Sequence, residues 1–312
     1  MMLRTTVRDC LYLNWALPAE GLPELPEPLR YQLHSWQGGD YVFASALLFH
    51  QDAVRVPTLP LSFGFPQLNL RLYVLDGDGV PSVFFCRMLM PSWVAPGVRL
   101  LTHQPASRAR LDFPRPSRAI TAEPWCWRVR RGGSLPGSLE VRAWQDSPQV
   151  GEGPRLGSWE ETVRYFHERP RGYTESGGAL HRIEARHPQT PCWPVQAELR
   201  GVEMLRRLLL KAGSSSGNGV THGSAAWPAL HSSWLCPEVP LVFELGLVPK
   251  VQLAPTVPHP AAGRVVSPVL RDRVFASGQA EGTSPERLTE GLSEGLAEGL
   301  AERLAERPRV AC

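Results

Sequence analysis

The chain has 312 residues, 43% of them hydrophobic, enough for one large or two ordinary domains with a substantial core. Its formal net charge is only +3 with both signs interleaved, so there is no strong field to gather phosphates and no nucleic-acid partner is expected. No uninterrupted apolar stretch approaches the roughly 20 residues of a membrane helix; the run Cys10 to Leu17 is broken by Asn14 and lacks a signal-peptide core. A cytoplasmic protein without a membrane partner is the expectation.

Thirty-one prolines and 28 glycines, with no long run of helix formers before about residue 195, favour many short strands over a helical bundle. Apolar runs predict strands at 40–49, 68–75, 82–88, 107–113, 125–130, 139–144, 180–187 and 241–248. Turn residues punctuate several of them, notably Asp76 to Gly79 and Arg131 to Gly133. Two helices interrupt the strands. Ser158 with Glu161 makes a capping box, and Trp159, Val163 and Phe166 form a stripe until Pro170 ends the helix. The second is expected over 195–210, where Leu199, Val202, Leu205, Leu208 and Leu209 form the apolar face. The class is α+β, mainly β.

Beyond Lys250 prolines scatter among Ala, Ser, Gly and Val, which places a domain boundary there: a domain over 1–250, a linker over 251–287 and a tail over 288–312. Leucines and glutamates recur in the tail every four residues, a step of about 400° on a helix, so the stripe drifts and no heptad seam forms. Gly291, Gly295 and Gly299 weaken any isolated helix by about 1 kcal/mol each. The tail is expected to be disordered, or to be a helix that forms on a partner.

The strand FPQLNLRLYV, residues 65–74, is the most informative segment. Alternation places Leu68, Leu70, Leu72 and Val74 on one face and Asn69, Arg71 and Tyr73 on the other. With LYLNWAL at 11–17, GVPSVFF at 79–85 and the segment 157–199, it resembles the YqjF-like proteins, the domain of unknown function 2071. That family resembles the acetoacetate decarboxylase-like superfamily. The resemblance implies a curved antiparallel sheet closed into a cone-shaped barrel around a pocket, with the two helices packed on it.

Superfamily decarboxylases use a Schiff-base lysine, but Lys211 and Lys250 are the only lysines here and neither is expected to line a barrel pocket. Schiff-base chemistry is therefore not expected. The chain also departs from its relatives' pattern. Gln67 stands where they commonly carry a glutamate, residues 104–109 lose an aromatic group and imidazoles, and Cys86 to Met90 replace small and acidic residues. These changes remove proton-transfer groups and favour a divergent member.

Asn69, Arg71 and Tyr73 are then the leading ligand-binding set, with Arg71 clamping a carboxylate; the alternative is that Arg71 pairs with an acidic side chain or faces water. His187 and Trp193 match the family's histidine and tryptophan-proline signature, which implies a pocket-edge role; Tyr73 and His187 are the weak catalytic candidates. His181 and His187 would stand about 20 Å apart on a strand, too far to share an ion. The six cysteines show no close zinc-site spacing and are read as buried thiols of a reducing compartment. No metal or cofactor is expected. Three functions stay open: a small-acid binding protein, a lysine-independent lyase or hydratase-like enzyme on a keto acid or carboxylate, and a structural or interaction protein.

Overall fold

A computed structural model describes residues 2–55, 62–116, 123–132, 137–186, 188, 190–210 and 227–247. Its elements begin with β1 (Met2–Pro18), β2 (Arg30–Tyr31), β3 (Leu33–Trp36), β4 (Gly39–Arg55), β5 (Ser62–Leu75), β6 (Pro81–Met90) and α1 (Ala95–Thr102). They continue with β7 (Ala106–Arg108), β8 (Arg110–Asp112), β9 (Trp125–Arg131), β10 (Gly137–Gln145) and α2 (Trp159–His167). Last come β11 (Arg171–Ser176), β12 (Ala179–Arg186), β13 (Trp193–Arg200), α3 (Glu203–Leu210) and β14 (Ser232–Leu247).

Strands β1, β4, β5 and β6 pair successively in antiparallel fashion, and β6 then pairs in parallel with β11. The β11–β12 hairpin turns through Gly177 and Gly178, whose φ values of 60° and 71° suit the tight turns that glycine adopts without a Cβ clash. β12 pairs with β14, and β14 returns to β1, so this path of strands closes on itself. β14 also meets β13 at Trp193 and Pro194, and β13 carries β10, β9 and β8 as a further antiparallel layer.

Period-two alternation sorts the ring strands into two cores. Leu11, Leu13 and Trp15 of β1, Ala44 and Leu48 of β4, and Leu68, Leu70 and Leu72 of β5 share one cluster with Trp127 and Val129 of β9, Val141 of β10 and Leu205 and Leu208 of α3. Emptying one such leucine to alanine costs about 2–5 kcal/mol because packed neighbours close the cavity only in part. The opposite faces contribute Tyr12, Phe43, Tyr73, Val83, Trp234 and Cys236, which gather around Phe166 of α2.

The capping box is present: Ser158 Oγ accepts from the Glu161 amide, and the Glu161 carboxylate accepts from the Ser158 amide. The helix buries Thr162, Phe166 and His167, with Trp159 and Val163 partly buried beside them. The expected second helix is corrected. Residues 193–200 form β13, paired with β10 over Val195 to Arg200, and α3 starts only at Glu203. Gly201 sits between them at φ 80°, where a Cβ would strike the Ser138 carbonyl. The sheet is also not wholly antiparallel, since β6 runs parallel to both β7 and β11. Helix α1 and strands β1, β2, β3 and β11 are additional to the expected elements. The linker over 251–287, the tail over 288–312 and both lysines lie outside the described residues. No described helix is long and apolar enough to cross a membrane.

Candidate functional site

On β5, Gln67, Asn69, Arg71 and Tyr73 are all buried, and Arg71 and Tyr73 meet Phe166 of α2. Arg71 is 8% exposed and donates from Nε (3.2 Å) and Nη2 (2.7 Å) to Tyr73 Oη. Nη2 also donates to the Phe166 carbonyl at 2.9 Å, in the last turn of α2. The Tyr73 hydroxyl meets Ser45 Oγ at 2.9 Å, and Ser45 in turn donates to Asn14 Oδ1, so the polar chain crosses β5, β4 and β1. Asn69 stands apart from this chain: its Oδ1 accepts from Gln67 Nε2.

A second cation lies beside the first. Arg169, 6% exposed, donates Nε to the Tyr165 carbonyl and Nη1 to Gln32, with its guanidinium 4.1 Å from the Tyr165 ring centre and 4.9 Å from that of Tyr73. Arg71 lies 5.4 Å from the Tyr12 ring centre and 5.2 Å from that of Tyr73. Aromatic faces attract guanidinium groups by roughly 0.5–2 kcal/mol each, well short of the several kcal/mol lost on burying a charge. Among the described residues no carboxylate forms an ion pair with either arginine, and Arg71 Nη1 and Arg169 Nη2 donate to no described side chain or carbonyl. Burial pushes the Tyr12 and Tyr165 hydroxyls up from their usual range, so neither supplies the missing negative charge as a phenolate.

Trp193 packs against the first core with β9 and β10, and not in the cluster that holds Tyr73. His187 lies outside the described residues. His181 is buried on β12 and stacks on His103 at 4.9 Å between ring centres, while Glu184 pairs with Arg182.

Sequence reasoning missed two groupings. His167 Nε2 lies 3.8 Å from Cys192 Sγ and 3.3 Å from Cys236 Sγ, and the two sulfurs are 2.7 Å apart. Hydrogen bonding from Cys236, reinforced by His167 against the opposing effect of burial, holds the Cys192 thiol below its usual range. Tyr12 links this cluster to the arginine pair, its ring 4.9 Å from that of His167. The thiols are not uniformly buried, since Cys126 and Cys192 are only half-buried. Separately, a cleft of about 790 Å³ is lined by Arg99, Arg108, Arg110, Arg130 and Arg131, with no acidic side chain among the described residues of its wall.

Solved structures share this mainly β architecture with its few helices. The chain is similar to the enduracididine biosynthesis enzyme MppR with HEPES buffer bound, at a TM-score of 0.53 and 12% identity over 80% of this chain and 88% of that one. MppR complexed with pyruvate is similar at 0.50 and 12%, over 79% and 90%. An acetoacetate decarboxylase-like enzyme from Sphingomonas wittichii RW1 aligns at 0.44 and 11%, over 79% and 92%. Identities this low speak for fold alone. Residues 4–227 match DUF2071, described as an uncharacterized conserved protein, and the chain belongs to that family. No curated protein matches the chain.

Proposed function

We propose that the closed strand path is a cone-shaped barrel that binds a small carboxylate, with Arg71 as its anchor and Tyr73 and Asn69 fixing its orientation. The observation that carries this reading is the pair of buried guanidinium groups, Arg71 and Arg169, without an acidic partner among the described residues. A buried cation is stable only when paired or fully hydrogen-bonded, and Arg71 Nη1 has donors to spare. A carboxylate would accept from it and balance the charge. MppR was solved with pyruvate bound, an acid of suitable size to test first. Trp193, on the other core, is assigned to packing.

With no lysine before Lys211, the reading needs no Schiff base. A lysine-independent lyase or hydratase-like enzyme is the second reading, favoured by the Tyr73 hydroxyl lying 2.7 Å from the anchoring guanidinium. Loss of turnover in Tyr73→Phe with ligand binding retained would select it.

The test is a thermal-shift comparison of wild type and Arg71→Ala against pyruvate, other short keto acids and carboxylates, and neutral analogues. A carboxylate at about 100 times its Kd stabilises the folded state by about 2.7 kcal/mol. We expect a rise in Tm specific to the acids and absent in Arg71→Ala. No rise with any acid in folded protein overturns the reading and shifts weight to a structural or partner-binding role.

A further inference from the structure

His167 is the final residue of α2, Cys192 directly precedes β13 and Cys236 lies in β14, and one donor atom from each falls within 4.8 Å of the other two. The β13–β14 ladder pairs Trp193 with Leu235 and Pro194 with Trp234; one step further along that register sets Cys192 opposite Cys236. The sulfurs, 2.7 Å apart, are farther than the about 2.05 Å of a disulfide, and His167 Nε2 is aimed at both of them.

We propose that His167, Cys192 and Cys236 form a site for one thiophilic divalent cation of the zinc class, with a fourth position left to water or a small ligand. Two thiolates and one neutral imidazole around a divalent ion sum to zero charge, the balance that a buried site requires. The donor set is two sulfurs and one nitrogen without an oxygen, which selects zinc-like ions over calcium or magnesium. In a tetrahedral site with bonds of about 2.3 Å the sulfurs would stand roughly 3.8 Å apart, so binding separates them by about 1 Å. Half-buried Cys192, at the entrance to its strand, is the side free to make that shift. The cation replaces the protons of the two thiols, which are released to solvent.

The experiment is a titration of the full chain, reduced and stripped with a chelator, with Co²⁺ followed by absorption. One equivalent is expected to give thiolate-to-cobalt charge transfer and the strong ligand-field bands of a tetrahedral ion, and Zn²⁺ should displace it. Cys192→Ser should lose the charge-transfer spectrum and His167→Gln should alter the ligand-field bands. Arg71→Ala should leave both intact, which separates this site from the acid anchor. Reduced, folded protein that binds no cobalt overturns the proposal, as does an undiminished spectrum in Cys192→Ser.

Discussion

A guanidinium keeps its charge at every physiological pH, so the surroundings of Arg71 must supply acceptors instead of relying on its neutralisation. Tyr73 is the main one. Tyr73→Phe removes the oxygen that accepts from Arg71 Nε and Nη2, leaving buried donors unmet, and is expected to cost about 1–3 kcal/mol in urea unfolding. The histidines set a different dependence. Burial, with Arg169 and His231 adding to it, holds His34 down to about 4 from 6.5, and burial also lowers His50 and His231. The unfolded chain therefore takes up protons below about pH 6.5 that the folded chain resists until about pH 4. Stability is full above that window and falls as pH drops through it. Urea midpoints from pH 7 to 4 should show this decline, and His34→Gln should flatten it; an equal slope in the variant would remove His34 as a source.

Residue-level legibility followed the period of the chain. Alternation alone put Asn69, Arg71 and Tyr73 on one face, because a strand offers only two. What alternation did not reveal is that Asn69 turns to Gln67 while Arg71 turns to Tyr73. The thiol cluster was hidden for a related reason: strand registration joins Cys192 to Cys236, and a helix end brings in His167, so no local spacing announces them. The arginine-lined cleft escaped a net charge of +3 because that figure averages over the whole chain, while its cations are gathered by folding from four separate elements, α1, β7, β8 and β9.

Among the elements, α2 was the one whose sequence and structure agreed in detail, since its start is written in local chemistry. Ser158→Ala should remove one half of the capping box and cost about 1 kcal/mol. For a domain of this size that corresponds to a fall in Tm of about 2–4 °C, readable by calorimetry. β13 shows the contrary case. Its glutamate, alanine and leucine residues suit a helix, yet six registered pairs with β10 hold residues 195–200 extended. Propensity differences of tenths of a kcal/mol per residue yield to a ladder of that length. The change to α3 falls at Gly201, the residue whose φ of 80° lets the chain turn against Ser138. Gly201→Ala should therefore lower Tm more than Ser158→Ala does, and an equal or smaller effect would show that the junction is not fixed by its backbone.

At the scale of the molecule, the ring is fastened by pairings that are remote in sequence. Asp76, 2% exposed, accepts from Arg171 Nη1 at 2.7 Å and Tyr173 Oη at 3.0 Å, tying the β5–β6 turn to β11 where the parallel junction forms. Closure itself joins Met2 to Glu244 and Asn14 to Ser232. A growing chain makes β1 first and β14 last among the described strands. At about 5–20 residues per second, one edge of β1 waits on the order of 10–40 s for its partner to leave the ribosome. During that interval it presents unpaired amides and carbonyls to any neighbouring strand, including those of other nascent copies. Yield in the cell should therefore depend on how long that edge is shielded, so holdase supply and translation speed would limit it before any weakness of the finished fold does.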